Sequence, residues 1–303
     1  MLTPADVTVI IPTRNSLELL KRTLATLERQ DVGASAFQTV VVNDASTDDT
    51  GKWLDDYHGT LRLKSVNLTT NAGRAAARNI AADNASGALL VMIDGDMELP
   101  PGLMAGHLRP HNRAAEKLVL LGNVRYDRSL GRRGYAHYIE TRGAAKLRPG
   151  APLPGRYFIS SHASLRRDLF REVGGFDQQF KVHGGEDLDL GMKLVKAGAV
   201  IRQAPELASL HLHIRPLADV LRSTREYGRL NVPLLLAKHP QLLRELKLDI
   251  RGWRRSLLTP PVYQVVKAAA GLLNGWRAPA LFYDYLLLAN YYQGWRESTR
   301  LKN

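Results

Sequence analysis

Val91-Met92-Ile93-Asp94-Gly95-Asp96 is the stretch on which the fold turns. Its first three residues favour a strand. Two carboxylates follow one residue apart, and Met97-Glu98-Leu99-Pro100-Pro101 then bars a strand from continuing. In α/β proteins, ligands bind at the carboxyl ends of parallel strands. Two aspartates at i and i+2 on such an end can share one divalent cation through oxygen ligands. An Asp-Gly turn with no ligand is the competing reading.

The pattern repeats on the N-terminal side. Residues 7–11 are a β-branched run that breaks into Pro12-Thr13-Arg14-Asn15, and apolar positions 17, 20, 24 and 27 then recur at helical spacing. Residues 37–42 form a second strand that ends in Asn43-Asp44-Ala45-Ser46-Thr47-Asp48, a cluster able to cap a helix starting near Asp49-Thr50. A third strand is expected over 61–68, an alanine-rich helix over 71–84, and the fourth strand over 88–93. This β-α-β-α-β-α-β alternation predicts an open, mostly parallel sheet flanked by helices, Rossmann-like, with a nucleotide-type site along the strand ends. No G-x-G-x-x-G follows the first strand and no P-loop motif occurs.

The C-terminal side is less regular. Residues 125–171 hold eleven Arg/Lys against three Asp/Glu, interleaved with Tyr126, Tyr135, Tyr138 and Tyr157. That stretch reads either as a solvated face or as a groove for an anionic or sugar-like substrate. Gly184-Gly185-Glu186-Asp187 opens a helix that runs to Ala197 and stops at Gly198. A short strand is expected at Ala199-Val200-Ile201. His211 and His213 then lie on one side of an extended segment.

With 303 residues, 45% apolar and 23% charged, the chain suits a large globular domain with an appendage. It has no cysteine, which removes disulfides, thiolate metal sites and cysteine nucleophiles. The start of the chain lacks the basic-then-apolar pattern of a signal peptide. No window holds the ~18 uninterrupted apolar residues of a spanning helix. The net charge of +13 is uneven: residues 213–303 carry 15 Lys/Arg against 6 Asp/Glu, or +9. This predicts a basic helical C-terminal extension with a polyanionic partner such as a membrane surface. Two apolar stretches, 262–273 and 280–292, suit helices packed on a domain or lying in a membrane interface.

Taken in order, Ile10-Ile11-Pro12-Thr13-Arg14-Asn15, Val42-Asn43-Asp44-Ala45-Ser46-Thr47-Asp48, Asp94-Gly95-Asp96 and Gly185-Glu186-Asp187-Leu188-Asp189 resemble the family 2 glycosyltransferases of GT-A fold. Asn71-Ala72-Gly73-Arg74-Ala75-Ala76-Ala77-Arg78-Asn79, Gly174-Gly175-Phe176-Asp177 and Ala204-Pro205-Glu206 followed by His211 are similar to the same family's pattern. The likeness spans residues 5–215. It implies a catalytic domain over 1–215, with a nucleotide-sugar-binding half (1–100) and an acceptor-binding half (101–215); residues 216–303 fall outside it, and their charge and apolar stretches are what suggest an extension peripheral to a membrane.

The resemblance further implies inverting transfer of a sugar from a nucleotide-sugar, usually UDP-linked, with Mn²⁺ or Mg²⁺. Pro12, Thr13 and Arg14 would line the nucleoside, with Asp44 accepting from the uracil N3–H. Asn71, Gly73, Arg74 and Arg78 would complete the nucleotide site, Arg74 near the base and Arg78 nearer the ribose or pyrophosphate. Asp94 and Gly95 would sit by the ribose. Asp96 would bind the metal together with Asp94 and His211, with His213 as an alternative. Asp187 matches the family's base, and Glu186 supports it or binds the acceptor. Residues 158–166, with His162 and Ser164, stand where the family places acceptor contacts. Products would be polysaccharides, glycolipids or cell-envelope glycans, made on the cytoplasmic side. The rival readings are a metal-dependent nucleotidyltransferase and a nucleic-acid-binding protein. The first lacks a glycine-rich basic loop after the first strand, and the second lacks any recognised binding motif.

Overall fold

The computed structural model describes residues 1–127, 134–142, 150–250, 257–273 and 279–300. The chain forms two compact units. One comprises Met1–Asp127, Gly143–Lys181 and Glu186–His213; the other comprises Arg128–Arg142, Val182–Gly185 and Ile214–Asn303.

The first unit is built on an eight-stranded sheet. In chain order its elements are β1 (Val7–Thr13), α1 (Leu17–Glu28), β2 (Gln38–Asn43), α2 (Thr50–Asp55), β3 (Arg62–Asn67), α3 (Arg74–Asp83), β4 (Leu89–Ile93), β5 (Met97–Glu98) and α4 (Leu103–Arg113). β6 (Leu118–Tyr126) follows, and then α5 (Gly134–Glu140), which belongs to the second unit. The first unit resumes with β7 (His162–Arg166), α6 (Arg167–Glu172), α7 (Glu186–Lys196) and β8 (Val200–His211). The strand order is β3-β2-β1-β4-β7-β6-β8-β5. β7 runs antiparallel to β4 and β6, and β5 antiparallel to β8; every other pairing is parallel. The sheet is therefore mostly parallel, as the alternation predicts.

Burial explains the continuous apolar runs. β1, β2 and β4 are covered on both faces, the usual condition of parallel strands. On β4, Leu90 and Met92 face a core shared with Ala77 and Ala81 of α3, Phe170 of α6 and Leu190 of α7. Leu89, Val91 and Ile93 face the opposite core with Leu20 and Leu24 of α1 and Met104 of α4.

Three features differ from the sequence reading. The irregular region contains a nine-residue strand, β6, and the strand expected at 199–201 is the start of a twelve-residue one, β8. Residues 162–166, within the segment set against acceptor contacts, form β7, and His162 and Ser164 are fully buried, so neither faces an acceptor. Their polarity is absorbed by a chain of hydrogen bonds. Ser209 Oγ pairs with His162 Nδ1 (2.8 Å), His162 Nε2 with His107 Nε2 (3.0 Å), His107 Nδ1 with Ser164 Oγ (2.9 Å), and Ser164 Oγ with His111 Nε2 (2.8 Å). Buried polar groups must pair in this way. Of the basic, tyrosine-bearing stretch, Tyr135 and Tyr138 pack on Tyr283 in the core of the second unit. Residues 128–133 and 143–149 of that stretch lie outside the described residues.

The second unit is helical, as its leucine-and-arginine pattern predicts. α8 (Leu217–Glu226) passes through a π-turn, Tyr227–Asn231, into α9 (Val232–Lys238). α10 (Leu242–Glu245), α11 (Pro260–Leu273) and α12 (Ala280–Arg300) follow. The α12 backbone crosses this turn at Gly228 and Gly294, where neighbouring backbone leaves no room for a Cβ. Asp284, the one acid within the second apolar stretch, accepts a 2.5 Å hydrogen bond from Tyr138 Oη. No helix among the described residues is long and apolar enough to cross a membrane.

Candidate active site

Four strand ends meet at one edge of the first unit. Asp94 is the first residue past β4, and its N–H donates to Ser161 O (3.2 Å), just before β7. Gly95 is buried against the end of β1: a Cβ there would lie 3.4 Å from Pro12 O and 3.4 Å from Thr13 Oγ1, within van der Waals contact of that strand. β5 then pairs Met97 with His211, the last residue of β8, while Leu212 N–H donates to Asp96 O (2.8 Å). The sheet order thereby carries His211 to the two aspartates.

Ligand atoms of Asp94, Asp96 and His211 all lie within 4.8 Å of one another, and His211 Nε2 is 3.6 Å from Asp96 Oδ1. Tyr126 packs against the His211 ring (5.4 Å between centroids). His213 is exposed and only its backbone N–H reaches His211 Nδ1 (3.4 Å). Two carboxylates and an imidazole form a donor set suited to Mn²⁺ or Mg²⁺. The electrostatics fit a cation as well. Burial pushes the Asp96 carboxyl up, the His211 imidazole opposes this, and the neighbouring Asp94 charge adds to it. A bound cation would relieve both the burial cost and the repulsion.

Asp94 is held differently. Burial alone would raise its carboxyl, but the Arg78 and Arg74 guanidiniums and His211 outweigh it and hold Asp94 below the ordinary value. Arg78, from α3, is 3% exposed; its Nη2 lies 2.6 Å from Asp94 Oδ1, and its guanidinium stacks on Phe176 at 5.7 Å. Among the described residues, Arg78 Nε and Nη1 are buried with no acceptor. Arg78 also feels the charges of Asp187 and Glu186.

Those two open α7, after Gly184 and Gly185 with φ of +98° and +97°, values that glycine adopts without strain. Asp187 Oδ2 accepts the Ser160 N–H (3.2 Å), whereas Oδ1 is buried with no partner among the described residues. Burial raises the Asp187 carboxyl; Arg78 and the Ser160 N–H pull against it, and Asp94 reinforces it. Glu186 is 5% exposed and is also raised, by burial and then by Asp187. Two adjacent carboxyls held above their ordinary range, beside a buried arginine, are arranged for proton transfer.

The expected nucleotide residues gather at the ends of β1, β2 and α3. Asp44 is 6% exposed; its Oδ1 takes the Ala72 N–H (2.6 Å) and its Oδ2 the Gly73 N–H (3.0 Å). Asp44 thus anchors the loop into α3, and each oxygen retains a lone pair for a further donor. Gly73, at φ +87°, turns that loop into the helix. Asn71 and Arg74 are exposed beside it, as is Arg14 after the buried Thr13, while Pro12 is half-buried. Thr13 Oγ1 is 3.0 Å from Ser16 Oγ.

Two contacts escape a reading of sequence alone. Ser160 was not singled out, and a backbone donor carries no residue signature. Arg78 is the counter-ion of Asp94, a pairing that joins α3 to the end of β4 and that residue type alone does not reveal.

Comparison with known proteins bears on the family and the fold. Residues 8–174 match the family described as glycosyl transferase family 2, and residues 143–215 match one described as the N-terminal domain of galactosyltransferase. Validoxylamine A glucosyltransferase of Streptomyces hygroscopicus subsp. jinggangensis is 30% identical over 269 residues, covering 78% of this chain and 62% of that protein. Pre-mycofactocin glycosyltransferase of Mycobacterium tuberculosis is 28% identical over 240 residues, covering 78% and 48%. The chain thus spans only half to six-tenths of the length of these curated relatives. Among solved structures, mannosyltransferase PcManGT from Pyrobaculum calidifontis, in complex with GDP-Man and Mn²⁺, superposes with a TM-score of 0.63 at 22% identity, over 96% of this chain and 88% of that one. S. aureus TarS 1–349 in complex with UDP gives 0.58 at 19% identity, over 98% and 92%. These structures share the fold. By the match over residues 8–174, with the 30% identical relative beside it, the chain belongs to glycosyl transferase family 2.

Proposed function

We propose that this protein transfers a sugar from a nucleotide-sugar, UDP-linked, to an acceptor hydroxyl with inversion, by direct displacement. The observation that carries the reading is the convergence of Asp94, Asp96 and His211 within 4.8 Å, with Arg78 linking Asp94 electrostatically to Asp187. Asp94, Asp96 and His211 would hold Mn²⁺ or Mg²⁺. That ion would neutralise the charge that builds on the departing diphosphate.

The chain's own groups do the rest. Pro12, Thr13, Arg14, Asp44, Asn71, Gly73 and Arg74 form the nucleotide side of the site. Asp187 Oδ1 removes the proton from the acceptor hydroxyl as its oxygen bonds to the sugar carbon and the bond to the diphosphate breaks. Ser160 fixes Oδ2, so that Oδ1 is the free oxygen. The raised carboxyl of Asp187 makes it a stronger base than an ordinary aspartate, provided it is ionised at the working pH. Arg78 keeps Asp94 ionised. Glu186 supports Asp187 or meets the acceptor. Separate acid and nucleophile carboxylates, the arrangement of glycosidases, are not required.

We place the reaction in polysaccharide, glycolipid or cell-envelope glycan synthesis. Attachment to the anionic inner face of the cytoplasmic membrane is supported by the +9 charge of residues 213–303. A screen of nucleotide-sugars for metal-dependent hydrolysis tests the enzymatic reading. UDP-sugars should be turned over with Mn²⁺ and spared in its absence. No thermal shift with any nucleoside diphosphate and Mn²⁺ would sink it.

A further inference from the structure

The second unit carries a cleft of about 510 Å³ between α8 with its π-turn, α11 and α12. Small-molecule sites span about 300–1,000 Å³. The buried part of the lining is neutral: Leu221 and Asn290 are buried, and Tyr263 is half-buried beside them. The exposed part is basic. Arg222, Arg225 and Arg229 lie three and four residues apart on successive turns, and Lys267 comes from α11. Arg229 belongs to the π-turn Tyr227–Asn231, a kind of turn that recurs at functional sites. α12 lies backbone to backbone against this segment at Gly228 and Gly294, so that wall is set before any ligand arrives.

The cations are unevenly satisfied. Arg222 Nη2 pairs with Asp219 (2.6 Å), and Arg225 holds Glu297 through Nε (3.1 Å) and Nη2. Arg229 and Lys267 have no carboxylate partner among the described residues, and Glu226 on the same lining has no cation within ion-pair distance among them. Tyr263 stands one helical turn before Lys267. Its Oη accepts from Asn290 Nδ2 (3.0 Å), which leaves the O–H to donate, with no acceptor among the described residues. Two walls thus present three unspent donors. A terminal phosphate offers three acceptor oxygens, whereas a carboxylate has two. Arginine and lysine are the side chains that bind phosphate best.

We propose that this cleft binds a phosphate ester. Arg229, Lys267 and the Tyr263 hydroxyl take the phosphate oxygens, and the organic part rests on Ala218, Leu221 and the Tyr263 ring. A soluble phosphate ester and a lipid phosphate headgroup share this chemistry. Every residue of the cleft belongs to the second unit and none to the nucleotide or metal site, so the inference stands apart from the sugar-transfer reading.

The test is isothermal titration of the full chain, in EDTA so that no divalent metal site is filled, with glycerol 3-phosphate and with phosphatidic acid in phosphatidylcholine nanodiscs. Wild type should bind one or both with a Kd of about 1 mM or tighter, more weakly as salt is added. Tighter binding of the nanodiscs would support a lipid headgroup as the source, and equal or tighter binding of glycerol 3-phosphate a soluble ester. The double variant Arg229→Gln/Lys267→Gln, at two exposed positions, should bind at least about tenfold more weakly while keeping its circular dichroism and melting temperature. Either substitution alone, and Tyr263→Phe, should weaken binding in the same direction. Absence of wild-type binding to both would overturn the proposal. Equal binding by wild type and double variant would place the anion elsewhere and overturn it too. So would displacement of the ester by an equal concentration of sodium sulfate, the mark of unselective attraction.

Discussion

Replacing Arg78 by methionine probes the link between stability and the site. Arg78 is 3% exposed and donates to Asp94 at 2.6 Å, so the substitution strands a carboxylate beside the core. Breaking a buried ion pair costs about 3–5 kcal/mol. The side chain of Asp94 is 26% exposed, so water can reach it and the lower end, about 3 kcal/mol, applies. Arg78 also buries two nitrogens, Nε and Nη1, without acceptors, and removing them returns about 1–2 kcal/mol. The expected net loss is therefore about 1–2 kcal/mol near neutral pH. Its pH dependence identifies the cause. The native carboxyl of Asp94 is depressed, so its contribution is present above the unfolded aspartate value and is lost as pH falls through the lower native one. The difference between wild type and Arg78→Met should shrink on acidification below about pH 4. Urea unfolding at a series of pH values measures both quantities. A loss under about 0.5 kcal/mol, ordinary for a surface substitution, would refute the ion-pair argument. A loss constant across the whole pH series would refute the assignment to Asp94.

The other expectations concern metal, base and core. UDP with Mn²⁺ should raise the melting temperature, by about 2.7 kcal/mol of stabilisation at a hundred times Kd, and Asp96→Asn should abolish the part that requires Mn²⁺; calorimetric scans with and without chelator read this directly. Asp187→Asn should keep nucleotide-induced stabilisation and lower turnover by about 10²–10⁴-fold. The acid limb of the wild-type rate profile should lie above the ordinary aspartate range, because the base must lose its proton and its carboxyl is raised; retained turnover in the variant would remove Asp187 as the base. Burial lowers His162 and His111 to about 4 and holds His107 well below its usual value. Unfolding therefore takes up protons as pH falls from about 6.5 toward 4, and stability should drop by up to about 4 kcal/mol per pH unit. His111→Gln should reduce that slope by about one proton, as measured from urea midpoints between neutral and mildly acid pH.

Much of the first unit could be read from local pattern. β1, β2 and β4 are continuous apolar runs because helices cover both of their faces, and each ends in a polar cluster where the backbone leaves the sheet. The Asp94-Gly95-Asp96 turn was readable for the same reason: its two carboxylates are neighbours in the chain, and a strand end is where they must emerge. β7 gave no such signal. His162 and Ser164 are polar yet fully buried, and partners on α4 and β8 satisfy them.

The ordered blocks of residues thus carried the family, the open α/β sheet and the identity of the acidic residues, since those depend on short-range periodicity and on residue type. Which groups meet depended on strand order. The pairing of β5 with β8 brings His211 to Asp96, the insertion of β7 beside β4 brings Ser160 and Ser161 to Asp187 and Asp94, and the burial of α3 turns Arg78 inward as the counter-ion of Asp94. Each of these contacts joins segments far apart in the chain. Their energies arise from desolvation and from charges brought together, and neither quantity exists until the sheet has assembled.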